Sequence, residues 1–244
     1  MFDVTTKYLA SAFVDAESIE YEADNLRPLL DALGDSELSA QNLVQITQSG
    51  LKKRFRFEHI GTGDDLQLLG DRFDVTRKHK PPDGENMGDV AAFCEQAAEL
   101  LSGSLDHFGR KAHRLAVVID GLLTDLNEND FVVLADRLLN APDLGGGPPF
   151  EWNWRIATKI ERSFGQFADE TNTLVHIRRA RVTMSALGQP LFEGDTIGVS
   201  LDINTNPENK VARYDSDGIR AYLGEVSTWM DDLWNRTNSF MFGE

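Results

Sequence analysis

The sequence predicts an α+β fold: a largely antiparallel sheet made by two similar halves, with the long helix of each half packed on one face. Two observations carry this. The order strand, short helix, run of strands, long helix appears from about Tyr8 to Phe108 and again from about His113 to Phe240; such repetition marks a duplicated unit whose copies share one core. The segments before each half's end alternate apolar and polar residues with a period of two, while the last segment of each half repeats at three- and four-residue steps. The halves are residues 1–110 and 111–244, read as one continuous domain.

Tyr8 to Val14 reads as the opening strand, and Asn25 to Leu33 as a short helix stopped by Gly34, with Pro28 in its first turn, where no N–H is needed. Leu43 to Ile46, Lys52 to Ile60, Leu66 to Leu69 and Arg72 to Arg77 form a meander, turning at Gly61-Thr62-Gly63-Asp64-Asp65. A breaker-rich loop, Lys78 to Gly88, leads into a helix whose Val90, Phe93, Ala97, Leu100, Leu101, Leu105 and Phe108 make one apolar face.

The second half opens with the continuous apolar run Leu115 to Ile119, which suits a strand central in the sheet. Asn127 is the expected N-cap of a short helix with Phe131, Leu134, Ala135 and Leu138 inward. After the break Leu144 to Pro149, Trp152 to Glu161 alternates strictly. Thr173 to Met184 slips parity near Arg178-Arg179, and a β-bulge there would reconcile its two faces. Thr196 to Ile203 closes the sheet. The last helix, Asp215 to Phe240, spaces Ile219, Leu223, Val226, Met230, Leu233, Thr237 and Phe240 as an a/d seam. Trp229 and Trp234 fall off that seam and are candidate anchors for a homo-oligomer contact.

With 24 basic and 40 acidic residues the formal net charge is −16. That opposes generic binding to nucleic acid or anionic lipid, though not a local basic site. No apolar run approaches the roughly 20 residues of a membrane-spanning helix, and no secretory signal opens the chain, so the sequence predicts a cytoplasmic protein without a membrane partner. The single cysteine, Cys94, permits no internal disulfide and fits a reducing compartment.

The stretch Asp65 to Phe73, the helix after it, the strand ending at Ile119, and Leu201-Asp202-Ile203 followed by a helix ending Asn238-Ser239-Phe240 resemble a sporadically distributed family of uncharacterised bacterial proteins of about this length. The resemblance spans most of the chain. Family members favour Arg with an aromatic in the strand opening the second half, where this chain has His113-Arg114-Leu115. The resemblance implies no activity, only a mobile-element or antiviral-defence setting.

No residues stand out as catalytic, no cofactor is implied, and no metal site is predicted, because His59, His79, His107, His113 and His176 lack paired ligand spacing. Gly145-Gly146-Gly147 precedes a strand instead of a helix, so it is no phosphate loop. Asp120 and Asp202 end two apolar strands and would form a carboxylate pair if those strands were neighbours.

The least ordinary feature is where the cations lie. Lys52, Arg54 and Arg56 share a strand face, Arg155 and Lys159 the polar face of its counterpart, Arg179 and Arg181 the next strand, and Arg77, Lys78 and Lys80 finish the meander. If those strands are adjacent, they form one basic surface opposite the helices, unless Glu58, Glu151 and Glu161 neutralise it. The expectation is a non-enzymatic binding protein that recognises an acidic protein partner or ligand through that face. The alternatives are an enzyme using Asp120, Asp202 or His176 on a phosphorylated or nucleotide substrate, and a scaffold that oligomerises through the C-terminal helix.

Overall fold

A computed structural model describes residues 2–34, 37–48, 50–78, 87–139, 149–186 and 189–243; at 180, 182–186 and 189–193 it describes the backbone alone. His79, Lys80 and the triple glycine at 145–147 lie outside the described residues. The elements in order are β1 (Val4–Phe13), α1 (Ala23–Leu33), β2 (Leu38–Thr47), β3 (Gly50–His59), β4 (Asp65–Leu68), β5 (Arg72–Lys78), α2 (Val90–Phe108), β6 (Arg114–Leu123), α3 (Glu128–Leu139), β7 (Trp152–Phe164), β8 (Phe167–Ala186), β9 (Gln189–Thr205) and α4 (Ser216–Phe242).

The fold is α+β, and its nine strands form a single sheet ordered β2-β3-β4-β5-β1-β6-β9-β8-β7. Every pairing is antiparallel. β1 and β6, the first strands of the two halves, pair with each other at the centre. None of the described helices is long and apolar enough to cross a membrane.

One face of the sheet carries the apolar parity and is covered by the helices. Tyr8, Ala10 and Ala12 of β1, Val117 and Ile119 of β6, and Val199, Leu201 and Ile203 of β9 are buried there against Phe93, Leu100, Ile219 and Val226. α2 is capped at both ends, by the Asp89 carboxylate accepting from Ala92 N (2.7 Å) and by Gly109 in the left-handed region. α2 and α4 lie side by side, with Ser102 Oγ donating to Ser216 O at 3.3 Å. α1 crosses α2 so closely at Gly103 that a Cβ there would sit 2.9 Å from Ala32 O. α1 itself begins at Ala23, earlier than the sequence suggested, which puts Pro28 inside the helix. The unmatched carbonyl, four residues back, belongs to the exposed Asp24.

α4 departs from its heptad. A straight helix drifts about 20° per seven residues against a 3.5-residue repeat. Beyond Met230 the buried stripe therefore passes to Trp234, Thr237 and Met241, while Leu233 is only partly buried and Phe240 is 45% exposed. Trp234 packs on Phe2 with ring centroids 4.6 Å apart, and Trp229 lies against Phe164 and Tyr222. The two tryptophans expected to anchor an oligomer are thus both engaged by the chain's own core.

The parity slip expected at Arg178-Arg179 is absent. β8 stays in register with β7 and β9 past those residues, and its shift comes between Met184 and Ser185. Odd residues of β8 consequently stay on the helix side. Arg179 is buried there over the Phe131 ring (4.3 Å) and bound to Asp195 (2.6 Å). It does not belong to the open face, and Arg181 shares its parity.

Arg54 is the largest fully buried side chain. β3 outruns β4, and residues 15–22 run alongside it instead, with Tyr21 N donating to Lys53 O at 2.9 Å. They fold over Arg54, whose guanidinium donates to the carbonyls of Ala16 (3.3 Å), Glu17 (3.2 Å) and Ile19, to Gln45 Oε1 (2.8 Å) and to the Glu17 carboxylate (3.0 Å). Gly70 leaves room for this plug, since a Cβ there would fall 2.6 Å from Arg54 Nη2. Removing a buried, fully bonded charge strands its acceptors without water. Arg54→Ala is expected to cost roughly 3 kcal/mol, about 10 °C in Tm for a chain of this size. A differential scan showing Arg54→Ala as stable as wild type would refute the plug.

Candidate binding site on the open sheet face

The face away from the helices is read from strand parity. The registers Lys7↔Asp120, Asp120↔Ser200, Ser200↔His176 and His176↔Arg155 lay a row of polar side chains across β1, β6, β9, β8 and β7. At roughly 4.8 Å per strand the row spans about 19 Å. Its middle is a cleft of about 280 Å³ bounded by Thr6, Asp120, Leu122, His176, Arg178 and Ser200.

Small residues make the cleft. Where β9 pairs with β6 its open-face positions are Gly198, Ser200, Asp202 and Asn204, none bulky. Gly198 sits between Leu122 and Arg178, and a Cβ on it would lie 3.1 Å from Arg178 Nε. The Arg178 stem therefore crosses β9 where a side chain would otherwise stand. On β1 the register with β6 shifts between Thr5 and Lys7, and Thr6 Oγ1 donates to Asp120 O at 3.1 Å. Lys7 Nζ lies 3.7 Å from the Asp120 carboxylate.

The electrostatics oppose charge on the two groups best suited to move protons. Burial first, then Arg178 and Arg155, hold the His176 imidazole below its ordinary value; its Nε2 lies 3.3 Å from Asn153 Oδ1. Burial pushes the Asp202 carboxyl up, against a hydrogen bond from Asn204 Nδ2 (2.9 Å) and the fields of Arg114 and Arg155. Asn172 Nδ2 in turn donates to Asn204 Oδ1 at 3.3 Å. Val118↔Asp202 and Asp120↔Ser200 are successive open-face pairs, so Asp120 and Asp202 are diagonal neighbours, roughly 7–8 Å apart. The two strands are adjacent, as the carboxylate pair required.

The cations picked out in the sequence do not form one surface. β3 and β8 are six strands apart, about 29 Å, because the halves join through β1 and β6 and place these strands toward opposite edges. Lys52 is paired with Glu20 (2.5 Å), Arg56 with Asp65 (2.8 Å) and Lys159 with Glu170 (2.8 Å), while Arg54 is internal. Arg77 turns to the helix side and is held bidentately by the buried Asp64 at 2.7 Å. Neutralisation does occur in this region, by Glu20, Asp65 and Glu170. Arg155 alone of the expected set stands in the cleft's row.

Arg178, Ser200 and Lys7 escaped sequence reasoning. A signal was present: Gly198, Ser200, Asp202 and Asn204 are small or polar at every second position between buried Ile197, Val199, Leu201 and Ile203. Arg178 and Arg155 are exposed and, among the described residues, neither has a carboxylate within ion-pair distance. Also among the described residues, no three His, Cys, Asp or Glu side chains are grouped to hold a metal.

No protein-family model matches the chain, and no curated protein matches it.

The two shifts carry opposite pH dependences. Asp202 binds its proton more tightly when folded, so its ionisation penalty is absent at low pH and complete above the folded value. Asp202→Asn is expected to raise Tm near neutrality, with the gain shrinking as pH falls toward 3.8, the ordinary carboxylate value. His176 resists protonation when folded, so its contribution is intact above 6.5 and declines below it. In an NMR titration its imidazole should titrate below 6.5, and Arg178→Gln should move it up; an ordinary value in the wild type would contradict the site's electrostatics.

Proposed function

We propose that this is a non-enzymatic binding protein whose open sheet face receives an acidic segment of a partner protein. The observation that carries the reading is the state of Arg155 and Arg178. Lys7, Lys52, Arg56, Arg72 and Lys159 each have a carboxylate partner, whereas these two have none among the described residues. Arg178 lines the open cleft with the half-buried His176 and Ser200, and Arg155 stands beside His176 on β7. Guanidinium groups favour carboxylates by bidentate pairing, and Ser200 adds a neutral donor. Asp120, held by Lys7, would repel misplaced carboxylates and so set the register of the acidic segment.

The test is a titration of a glutamate-rich peptide against isotopically labelled protein at low salt. Shifts confined to Arg178, His176, Ser200 and neighbouring residues are expected, weakening as ionic strength rises. Arg155→Glu with Arg178→Glu should reduce affinity at least tenfold without lowering Tm, since both side chains are exposed. Undiminished binding by the double variant would exclude this face.

A second reading is favoured by one further observation. Asp202 and His176 face the same side with their pKa values displaced in opposite directions, the pattern of an acid and base pair. An enzyme of this kind would turn over a phosphorylated substrate bound by Arg178, and Asp202→Asn and His176→Gln would each abolish turnover while the fold stays intact. A phosphoester that occupies the cleft and is never consumed removes this reading.

A further inference from the structure

We infer that a second cleft, at the opposite end of β6 from the acidic-segment site, binds a small phosphate-bearing molecule through Arg110, Lys111, His113 and Lys210. The cleft has a volume of about 290 Å³, and Asp15 is the one carboxylate lining it. His113 precedes Asp120 by seven residues, which is about 23 Å along a strand, so this cleft is independent of the proposed function.

Its walls are fixed before any ligand arrives. The turn after α2 and the turn before α4 are joined by Ala112 N donating to Tyr214 O (2.7 Å) and Tyr214 N donating to Ala112 O (2.9 Å). The Arg213 guanidinium donates to the carbonyls of His113 (2.5 Å), Asn209 (3.2 Å) and Val211 (3.3 Å). That wraps residues 209–213 around one side chain and holds Lys210 on the cleft.

Helix capping does not account for the cations. Carbonyls at the end of α2 are taken by backbone N–H groups, Gly109 N to Asp106 O and Arg110 N to Leu105 O, so the side chains of Arg110 and Lys111 are not capping the helix. Arg110 Nη2 donates to Ser18 Oγ at 2.9 Å, and its Nε is buried with no partner. Lys111 Nζ donates to Asp215 Oδ2 at 3.5 Å, an exposed pair with a carboxylate whose other oxygen caps α4 through Gly218 N. Lys210 is exposed without a partner among the described residues. The His113 imidazole is held down by burial and by the fields of Lys210, Arg213 and Arg114.

Four basic groups converging from two segments on one small volume run against the field of a chain of net charge −16. A compact, multiply charged anion resolves that concentration and suits guanidinium, ammonium and imidazole donors arriving from several directions. The size places the ligand at the small end of binding pockets, enough for a phosphate or diphosphate with a short appended group.

The test uses inorganic phosphate and pyrophosphate at constant ionic strength, followed by calorimetry and by the His113 imidazole resonance. Saturable binding is expected, with the His113 pKa rising as the anion offsets Lys210, Arg213, Arg114, Arg110 and Lys111, Asp15 being common to both states. Lys210→Glu, at an exposed position, should keep the wild-type Tm and lose at least tenfold in affinity, while Arg178→Ala binds as wild type. Absence of saturable binding overturns the inference. So do retained binding in Lys210→Glu, loss in Arg178→Ala alone, or equal competition by sulfate, which would leave an adventitious anion site only.

Discussion

The antiparallel pairing of β1 with β6 is the contact from which the rest of the molecule follows. It joins the first strands of the two halves, so the last strand of each half, β5 or β9, lies next to this central pair and the second strand, β2 or β7, ends at an edge. On the helix side the seam is narrow at β1, where Ala10 and Ala12 are fully buried, and full at β6, where Val117 and Ile119 fill the space. That asymmetry lets α2 and α4 lie side by side over the junction. On the open side the same pairing sets Lys7 beside Asp120 and begins the polar row that crosses to β7.

From this geometry the placing of charge can be understood. A chain with 24 basic residues against 40 acidic ones spends several arginines on internal work. Arg54 closes the gap left by the short β4, Arg77 holds Asp64 beneath β5, Arg179 joins Asp195 over Phe131, and Arg213 gathers three carbonyls of a turn. Each is bonded on several sides, as burial of a guanidinium requires. The remaining cations divide between surface pairs, which contribute little, and a few without carboxylates. Among them are Arg155 and Arg178 on the open face and Lys210 at the second cleft.

The fold class and the succession of elements along each half were legible because they rest on periodicity, and periodicity survives in a single sequence. Leu115 to Ile119 read as a central strand and is one; Asn127 read as a cap and accepts from Asn129 N and Asp130 N. What failed was long-range. Nothing local distinguishes Arg54, buried under a loop, from Arg56 two residues on, since the loop that covers it lies more than thirty residues earlier. The order of strands decided whether Lys52 and Arg155 share a surface, and order is a property of the whole sheet. The tryptophans failed for a subtler reason: a heptad template was extended over seven turns, and the accumulated drift exchanged Trp234 for Leu233.

The open-face row also carries a cost that packing alone does not explain. Asp202 and His176 could both be replaced by apolar residues of the same parity, as Leu174 and Val118 are on neighbouring strands, and the sheet would lose two groups whose charged forms burial disfavours. The amides of Asn172 and Asn204 form a line that hydrogen-bonds the Asp202 carboxylate and so limits its penalty without abolishing it. Polar groups held in this way, beside arginines with no carboxylate partner among the described residues, are the arrangement expected where a ligand supplies the missing interactions. For His176 the penalty in the free protein then becomes part of the binding free energy, because a bound acidic group neutralises Arg155 and Arg178 and so relieves their effect on its imidazole.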